Sequence, residues 1–207
     1  MRVAPPQAAE LTQPAHSRCR NHRLFCHDAN DPQRGELELF VQRAFASRHS
    51  ARVCSFMPTL LALRNDQGDI CSVAGFRSAA DQPLFLERYL DEPIEHAIAS
   101  ATRRDVSRSQ IVEVGNLAGM NCRSAMRLVL QLPRVLLDRG QRWIVFTATD
   151  TVRHLLANYR APLIDIAPAH ASRVQGLGDD WGRYYETDPR IMVGYLPDGL
   201  LLSRGER

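Results

Sequence analysis

Apolar residues recur every three or four positions in two long segments of the chain, residues 35–49 and 124–139. This spacing places them along one face of a helix, so both segments are predicted to be helices that pack on a core. Pro133 lies inside the second segment and is expected to kink it, because proline removes one backbone hydrogen bond. Two shorter helices are predicted at residues 93–102 and 150–158.

The strands are predicted from apolar runs bounded by turn residues. Residues 52–64 and 69–77 flank the turn sequence Asn-Asp-Gln-Gly, which predicts an antiparallel hairpin. Further strands are expected at residues 110–118, 142–147, 163–166 and 190–196, with a short first strand at 23–26. A hairpin that leads into alternating strands and helices predicts an α/β fold with a mixed central sheet flanked by helices.

Length and composition place these elements in one compact unit. The chain has 207 residues, of which 44% are hydrophobic, enough for a sizeable core. Residues 1–35 are rich in Pro, Gln, Asn, Arg and His and are expected to be a flexible or loosely packed arm. We therefore predict a domain at residues 36–200 and a C-terminal tail at residues 201–207.

No apolar run approaches the roughly 18 residues of a membrane helix, and the first residues lack the apolar core of a secretory signal. The expected location is the cytoplasm, without stable membrane insertion.

The net charge is +3, and all 26 basic residues are arginine. The exclusive use of arginine reflects genomic base composition or bidentate capture of phosphate and carboxylate groups. The absence of lysine excludes lysine Schiff bases. So modest a charge, without a basic stripe that alternates with aromatics, argues against a nucleic-acid partner.

The five cysteines, at positions 19, 26, 54, 71 and 122, are odd in number and scattered. They do not form the pattern of a disulfide framework. Cys19 and Cys26 lie near three histidines, but they are not the close pair of a zinc site and no second pair follows. The histidines in question are His16, His22 and His27. No metal is therefore expected.

Five short segments carry a recognisable pattern: Phe56-Met57-Pro58, Pro-Leu-Phe-Leu-Glu-Arg-Tyr-Leu (83–90), Val-Glu-Val-Gly-Asn-Leu-Ala (112–118), Trp-Ile-Val-Phe-Thr-Ala-Thr (143–149) and Trp-Gly-Arg-Tyr-Tyr (181–185). In this order and spacing they resemble the thermostable hemolysin family, over about residues 36–196. The resemblance implies the acyl-CoA N-acyltransferase (GNAT)-like fold of acyl-homoserine-lactone synthases. It also implies a thioester donor, either acyl-carrier-protein phosphopantetheine or acyl-CoA. The family name itself refers to a haemolytic phenotype.

The resemblance implies that residues 111–132 hold the donor. The end of the central strand, at Leu117 and Ala118, would line the thioester, and the following loop and helix start would hold phosphate. Unpaired N–H groups and the helix dipole favour an anion there, and the predicted contacts are Gly119, Arg123, Ser124 and Arg127. The loop contains one glycine, which mildly favours a carrier-protein phosphate over the pyrophosphate of CoA.

Two threonines follow the next predicted strand. Thr147 and Thr149 would bond the amides of the pantetheine arm. The alternative is that this segment caps the following helix, with Asp150 or Thr151 as the expected cap.

The candidate catalytic residues are Glu113, Asn116 and Tyr159. Glu113 would deprotonate an amine, or else be a structural glutamate paired with an arginine. Asn116 would donate to the thioester oxygen, or bond its own backbone in a bulge. Tyr159 would protonate the leaving thiolate, or simply pack. An acyl-cysteine at Cys122 is a further option, although an unreactive thiol is the favoured interpretation.

Aromatic residues supply the candidate acceptor site. Trp181, Tyr184 and Tyr185 would wall an acyl or acceptor pocket, or anchor a long loop to the core. Phe56 and Met57 would line the acceptor side, although simple packing is favoured.

Three functions remain open at this point. The first is acyl transfer from a carrier-protein or CoA thioester to an amine or hydroxyl of a small metabolite. The second is a membrane-active cytolysin, for which the sequence shows no amphipathic insertion segment. The third is a non-catalytic module that binds an acyl or peptidyl carrier protein.

Overall fold

A mixed seven-stranded sheet forms the centre of the computed structural model, which describes residues 22–176 and 178–202. The strand order is β1-β2-β3-β4-β5-β7-β6, and every pair is antiparallel except β4 and β5, which run parallel. The strands are β1 (His22–His27), β2 (Thr59–Asn65), β3 (Ile70–Ser78), β4 (Ile111–Gly119), β5 (Trp143–Ala148), β6 (Leu163–Pro168) and β7 (Arg190–Tyr195). The predicted fold class, a mixed sheet with flanking helices, is confirmed.

Helices connect and cover the strands. They are α1 (Arg34–His49), α2 (Ile94–Thr102), α3 (Cys122–Val129), α4 (Leu132–Leu137), α5 (Asp150–Asn158) and α6 (Leu196–Leu202). None of the helices within the described ranges is long and apolar enough to cross a membrane.

The predicted helix over residues 124–139 is wrong as one element, because it is divided into α3 and α4. Pro133 lies in the first turn of α4, where a proline costs no hydrogen bond. The chain therefore breaks before the proline instead of bending around it.

The sheet begins earlier in the chain than the predicted domain boundary at residue 36. Residues 22–27 of β1 pair with residues 60–65 of β2, and α1 starts at Arg34. This part of the predicted arm therefore belongs to the domain, while residues 1–21 and 203–207 lie outside the described residues. The first strand of the hairpin is also shorter than predicted, since β2 starts at Thr59, after Pro58.

Each face of the sheet has its own apolar core, because successive side chains of a strand point to opposite faces. On one face, α1 packs on Leu60, Ala62 and Val73, and the segment of residues 84–98, which includes the first half of α2, packs on strands β4, β5 and β7. On the other face, α3, α4 and α6 pack on Leu61, Leu63, Ala74, Val112 and Val114. We call these the α1/α2 face and the α3/α4 face.

The two parallel strands at the centre of the sheet separate part-way along their length. β4 and β5 pair from Ile111–Trp143 to Val114–Phe146 and no further. Beyond that point β4 contains a bulge, since its register against β3 shifts and Asn116 adopts a left-handed φ of 50°. The bulge twists β4 away from β5, so a gap opens between the C-terminal halves of the two strands.

Candidate active site

A cleft with a volume of about 830 Å³ passes through this gap in the sheet. Gly115, Asn116 and Leu117 of β4 line one edge of the gap, and Phe146 and Thr147 of β5 line the other. The volume lies within the usual range for small-molecule sites, about 300–1,000 Å³. Because the cleft crosses the sheet, it opens into two regions of different character.

The region on the α1/α2 face, which we call the polar chamber, combines aromatic and charged side chains. Its walls come from the end of α1, from the turn at residues 85–89, and from the loop of residues 179–187. They include Phe45, Arg48, His49, Arg77, Phe85, Tyr89, Glu113, Trp181, Arg183 and Tyr184.

The region on the α3/α4 face, which we call the apolar arm, lies between α3 and α4 on one side and α5 on the other. Ile144 and Phe146 belong to a central strand and pack at the edge of the core on this face, yet they are only partly buried. The arm is lined by Met126, Val129, Leu130, Leu132, Pro133, Ile144, Phe146, Val152, Leu155, Leu156 and Leu163.

Glu113 borders the polar chamber, but its carboxylate is fully engaged. It is 3% exposed, and its oxygens accept hydrogen bonds from the backbone N–H groups of Phe85 (2.8 Å) and Leu86 (3.0 Å). The Arg77 guanidinium lies 3.3 Å from Oε2. Burial raises the pKa of Glu113, and the positive charge of Arg77 and the two N–H donors oppose that rise. This geometry matches the structural interpretation, in which Glu113 holds the segment of residues 84–90 against the sheet.

Asn116 is engaged in the same way. Its Oδ1 accepts a hydrogen bond from the Met57 N–H at 2.8 Å, and its Nδ2 donates to the Ser55 carbonyl at 3.4 Å. The residue is also the left-handed position of the bulge, a conformation that asparagine tolerates well. Asn116 therefore opens the gap through its backbone and ties the loop before β2 to it.

His49 lines the polar chamber, and its ring makes no hydrogen bond to any residue that the structure describes. It ends α1, since Ser50 follows with a left-handed φ of 53°. Its ring packs edge-on against Tyr184 and at a tilt against Phe45, with centroids 5.4 and 5.9 Å apart. Burial lowers the pKa of His49, and the nearby charges of Arg48 and Arg183 lower it further. The imidazole is consequently neutral at pH 7 and able to accept a proton.

Tyr89 lines the chamber, and Tyr185 lies behind it. Their hydroxyl groups lie 2.6 Å apart, and burial, followed by the bond to Tyr185, raises the pKa of Tyr89. Tyr89 therefore stays a neutral phenol. Trp181 contacts the rings of Phe45, Phe85, Tyr184 and Tyr185, which makes the wall continuous.

The start of α3 is closed by its own cap. Asn121 Oδ1 accepts from the Ser124 N–H at 2.9 Å, and Ser124 Oγ accepts from the Asn121 N–H at 3.2 Å. This capping box uses up the hydroxyl of Ser124, which is buried. A small second pocket of about 240 Å³ lies along one side of α3 and is lined by Arg123, Met126, Arg127, Leu130 and Tyr159. Met126, Leu130 and Tyr159 also line the main cleft, so this basic pocket adjoins the apolar arm.

The sequence-predicted site residues fall into two groups. The cleft brings together Glu113, Asn116, Leu117, Gly119, Thr147, Thr149, Tyr159, Met57, Trp181 and Tyr184, and Arg123 and Arg127 line the basic pocket beside it. Ala118, Ser124, Phe56 and Tyr185 do not line either cavity. Ala118 and Phe56 pack against α1 instead.

Thr149 rather than Asp150 or Thr151 caps α5, so the predicted cap is corrected by one or two residues. The Thr149 hydroxyl accepts a hydrogen bond from the Val152 N–H at 3.4 Å.

Cys122 lies exposed at the first position of α3 and also lines the cleft. His16 and Cys19 of the considered zinc site lie outside the described residues, and no group of three potential metal ligands occurs within them.

Arg48, His49, Arg77 and Arg183 line the chamber although the sequence did not single them out. A histidine and an arginine in the last turn of a helix usually indicate a solvated, dipole-compensated end. The sequence signal for Arg183 was its place in the motif Trp-Gly-Arg-Tyr-Tyr.

Gly182 explains how the loop of residues 179–187 reaches α1, and it gives a test of this packing. Its φ is 49°, and an added Cβ would lie 2.3 Å from the His49 carbonyl oxygen; at Gly176, with φ 82°, a Cβ would meet nothing within 4 Å. Gly176→Ala is expected to cost about 1 kcal/mol of backbone strain, and Gly182→Ala about 3 kcal/mol because the clash adds to the strain. Urea unfolding measures both, and equal losses would show that the loop does not pack closely on α1.

Several solved structures share this fold across nearly the whole chain. TofI, in a ternary complex with an inhibitor and MTA, has a TM-score of 0.60 at 16% identity, covering 88% of this chain and 96% of TofI. The AHL synthase LasI has a TM-score of 0.61 at 10% identity, covering 89% of this chain and 95% of LasI. FeeM, an N-acyl amino acid synthase from uncultured soil microbes, has a TM-score of 0.56 at 13% identity, covering 90% and 100%. At these identities the likeness shows the fold alone.

No curated protein matches the chain in sequence. The family comparison is more informative, because it covers both sides of the cleft and most of the sheet. The sequence matches the thermostable hemolysin family over residues 27–200, and the chain therefore belongs to that family.

Proposed function

We propose that the chain is an acyltransferase that moves an acyl group from a CoA or carrier-protein thioester to an amine or hydroxyl of a small metabolite. The observation that carries this proposal is the cleft through the sheet, where an apolar arm and a polar chamber meet at the gap between β4 and β5. A thioester placed in the gap has its acyl chain in the arm and its carbonyl carbon toward the chamber. An acceptor in the chamber is then held on the opposite side, ready to attack.

The donor is held by the edges of the gap. Beyond Val114 and Phe146 the facing edges of β4 and β5 lack a strand partner, so their backbone groups are available to pair with the amides of a pantetheine arm. Leu117 and Thr147 line this part of the cleft. The phosphate of the arm binds in the basic pocket, where Arg123 and Arg127 on one side of α3 supply charge-assisted hydrogen bonds.

The solved structures support this chemistry by their own activities. LasI is an AHL synthase, FeeM is an N-acyl amino acid synthase, and MesI, with a TM-score of 0.51, is a CoA-dependent acyl-homoserine lactone synthase. A fold hosts many functions, so the support rests on the site as well. Here the cleft offers the space that both substrates need.

A turnover assay tests the proposal. The purified chain is mixed with acyl-CoA or acyl-carrier-protein donors, from acetyl to tetradecanoyl, and with a panel of small amines and alcohols. Mass spectrometry should detect an acylated acceptor, and a thiol reagent should detect free CoA or carrier-protein thiol in equal amount. Absence of both products with every donor and acceptor would overturn the assignment as an enzyme.

A non-catalytic module that binds a carrier protein is the second candidate. The specific observation in its favour is that Glu113 and Asn116 already have hydrogen-bond partners within the protein. It predicts that an acylated carrier protein binds to the chain and is recovered with its thioester intact in the presence of every acceptor.

A further inference from the structure

We propose that the acceptor is an amine that carries a carboxylate, bound through its carboxylate by Arg48 and Arg183 and deprotonated by His49. This inference rests on the proposed acyl transfer and names the substrate class of the polar chamber. It assigns a catalytic role to a residue that neither the motifs nor the fold comparison singles out.

The two arginines lie on either side of His49, one on α1 and one on the loop of residues 179–187. Arg48 directly precedes His49 in the last turn of α1, and Arg183 is joined to His49 by a hydrogen bond from its N–H to the His49 carbonyl at 2.7 Å. Both arginines line the cleft, and both are exposed residues. The close packing at Gly182 fixes the distance between the two segments. Two arginines therefore flank one imidazole at the mouth of the chamber.

The surrounding acids do not form ion pairs with Arg48 or Arg183 among the described residues. Arg48 donates from Nη2 to the Gly119 carbonyl at 3.0 Å, a bond that fixes its position at the end of β4 and leaves its other N–H groups available. Among the acids of the chamber, Glu113 is paired with Arg77, and Asp179 accepts from the N–H groups of Cys54 and Ser55. Glu186 is exposed. The arginines thus form a site for an anion, and a planar carboxylate suits their geometry.

The acceptor amine must lose a proton before it reacts. An amine with a carboxylate is an ammonium ion at pH 7 and cannot attack a thioester until it loses a proton. His49 is half-buried between Phe45 and Tyr184, with its ring free of hydrogen bonds to described residues. Burial, Arg48 and Arg183 all lower its pKa. The same two arginines that hold the carboxylate therefore keep the imidazole neutral, which a general base requires.

The reaction balances as follows. His49 removes one proton from the ammonium group, and the freed lone pair forms a C–N bond to the thioester carbonyl carbon. The C–S bond then breaks, and the sulfur leaves as the thiol with the second nitrogen proton. The proton on His49 passes to water, and the products are an N-acyl acid and free thiol.

The aromatic walls define the remainder of the acceptor. Phe45, Phe85, Trp181 and Tyr184 line the chamber beside the arginines, and they present flat apolar surfaces to whatever lies next to the carboxylate. An aromatic side chain on the acceptor would stack there. Phenylalanine is therefore a suitable first probe.

The experiment compares phenylalanine with phenylalaninamide and phenethylamine, which keep the ring and the amine but lack the carboxylate. With the wild-type chain, kcat/KM for phenylalanine should exceed that for either analogue by at least about tenfold, the contribution of one charged hydrogen bond. Arg48→Gln combined with Arg183→Gln should abolish this preference. Equal rates for all three acceptors would overturn the inference and leave the acyltransferase proposal intact.

His49→Gln tests the base. The substitution should lower kcat by about 100-fold with little change in KM, in line with the removal of a general base. His154→Gln, at a side chain that is 75% exposed on α5, is the matched control and should keep the wild-type rate. A kcat of His49→Gln within a few-fold of the wild type would overturn the role of His49.

The pH profile supplies an independent readout. Since the pKa of His49 is lowered from its ordinary 6.5, wild-type kcat/KM should fall only below about pH 6.5, as the imidazole becomes protonated. This acidic limb should be absent in His49→Gln. The titratable and charged groups that face the chamber with it are Arg48, Arg77, Tyr89, Glu113, Asp179, Arg183, Tyr184 and Glu186.

Binding without turnover separates this inference from the proposed function. Trp181 is half-buried in the chamber and Trp143 is buried in the core, so a ligand in the chamber should change the fluorescence of Trp181. Phenylalanine should change it at lower concentration than phenethylamine, and Arg48→Gln with Arg183→Gln should remove the difference. If no acceptor is ever acylated, equal binding of both probes still refutes the carboxylate site.

Discussion

Replacing Glu113 by alanine should lower the free energy of unfolding by about 3–5 kcal/mol, the cost of breaking a buried ion pair from one side. The substitution leaves the Arg77 guanidinium and the N–H groups of Phe85 and Leu86 without their acceptor. All of these groups lie at the edge of the core, where water replaces a lost partner poorly. The segment of residues 84–90 should loosen, and activity should fall with it.

Urea unfolding followed by circular dichroism measures this loss. Glu36→Ala is the matched control, because Glu36 also pairs with an arginine but its side chain is 57% exposed. The free energy of unfolding of Glu36→Ala should fall by less than about 1 kcal/mol, as for exposed ion pairs in general. If Glu113→Ala unfolds like the wild type yet loses activity, the residue acts in catalysis and the structural account of it is wrong.

Replacing Leu155 by tryptophan should shift donor preference from long to short acyl chains. Leu155 lies on the inner side of α5 and lines the apolar arm, so an indole ring there fills space that a long chain needs. Overpacking of this kind costs about 1–3 kcal/mol when a long acyl chain must share the space with the indole ring. This cost corresponds to roughly a 10- to 100-fold lower kcat/KM for the longest donor. An acetyl or butanoyl donor does not reach this part of the arm, and its rate should be unchanged.

Competition between acetyl-CoA and dodecanoyl-CoA in one reaction gives the ratio of the two kcat/KM values directly. His154→Trp is the control, since it adds the same ring to the neighbouring residue on the exposed side of α5. The control should keep the wild-type ratio. A uniform fall for both donors in Leu155→Trp would instead indicate damage to the fold.

The order of elements was predictable from local pattern, whereas the interruptions in the elements were not. α1 and the β2–β3 hairpin follow directly from apolar spacing and from the turn at Asn65 to Gly68. The break between α3 and α4 was missed because apolar residues keep a helical spacing across it. A local pattern does not reveal that a proline there starts a new helix.

The resemblance to the thermostable hemolysin family is confirmed, as is the GNAT-like fold that it implied. The roles of Glu113 and Asn116 could not be decided from sequence. Their partners lie 28 and 59 residues away, in loops whose path depends on the whole fold. His49 was overlooked for a related reason, since only the packing of the loop at Gly182 onto α1 turns a helix end into the wall of a chamber.

Acyl transfer in this protein requires that one cleft pass through the gap between β4 and β5. A crystal structure of the chain with dodecanoyl-CoA tests it directly. The acyl chain should lie between Val129 and Leu155 in the apolar arm, with the thioester carbonyl between Leu117 and Thr147 and facing the polar chamber. Density for the acyl chain outside the sheet, with the gap filled by side chains, would contradict the account.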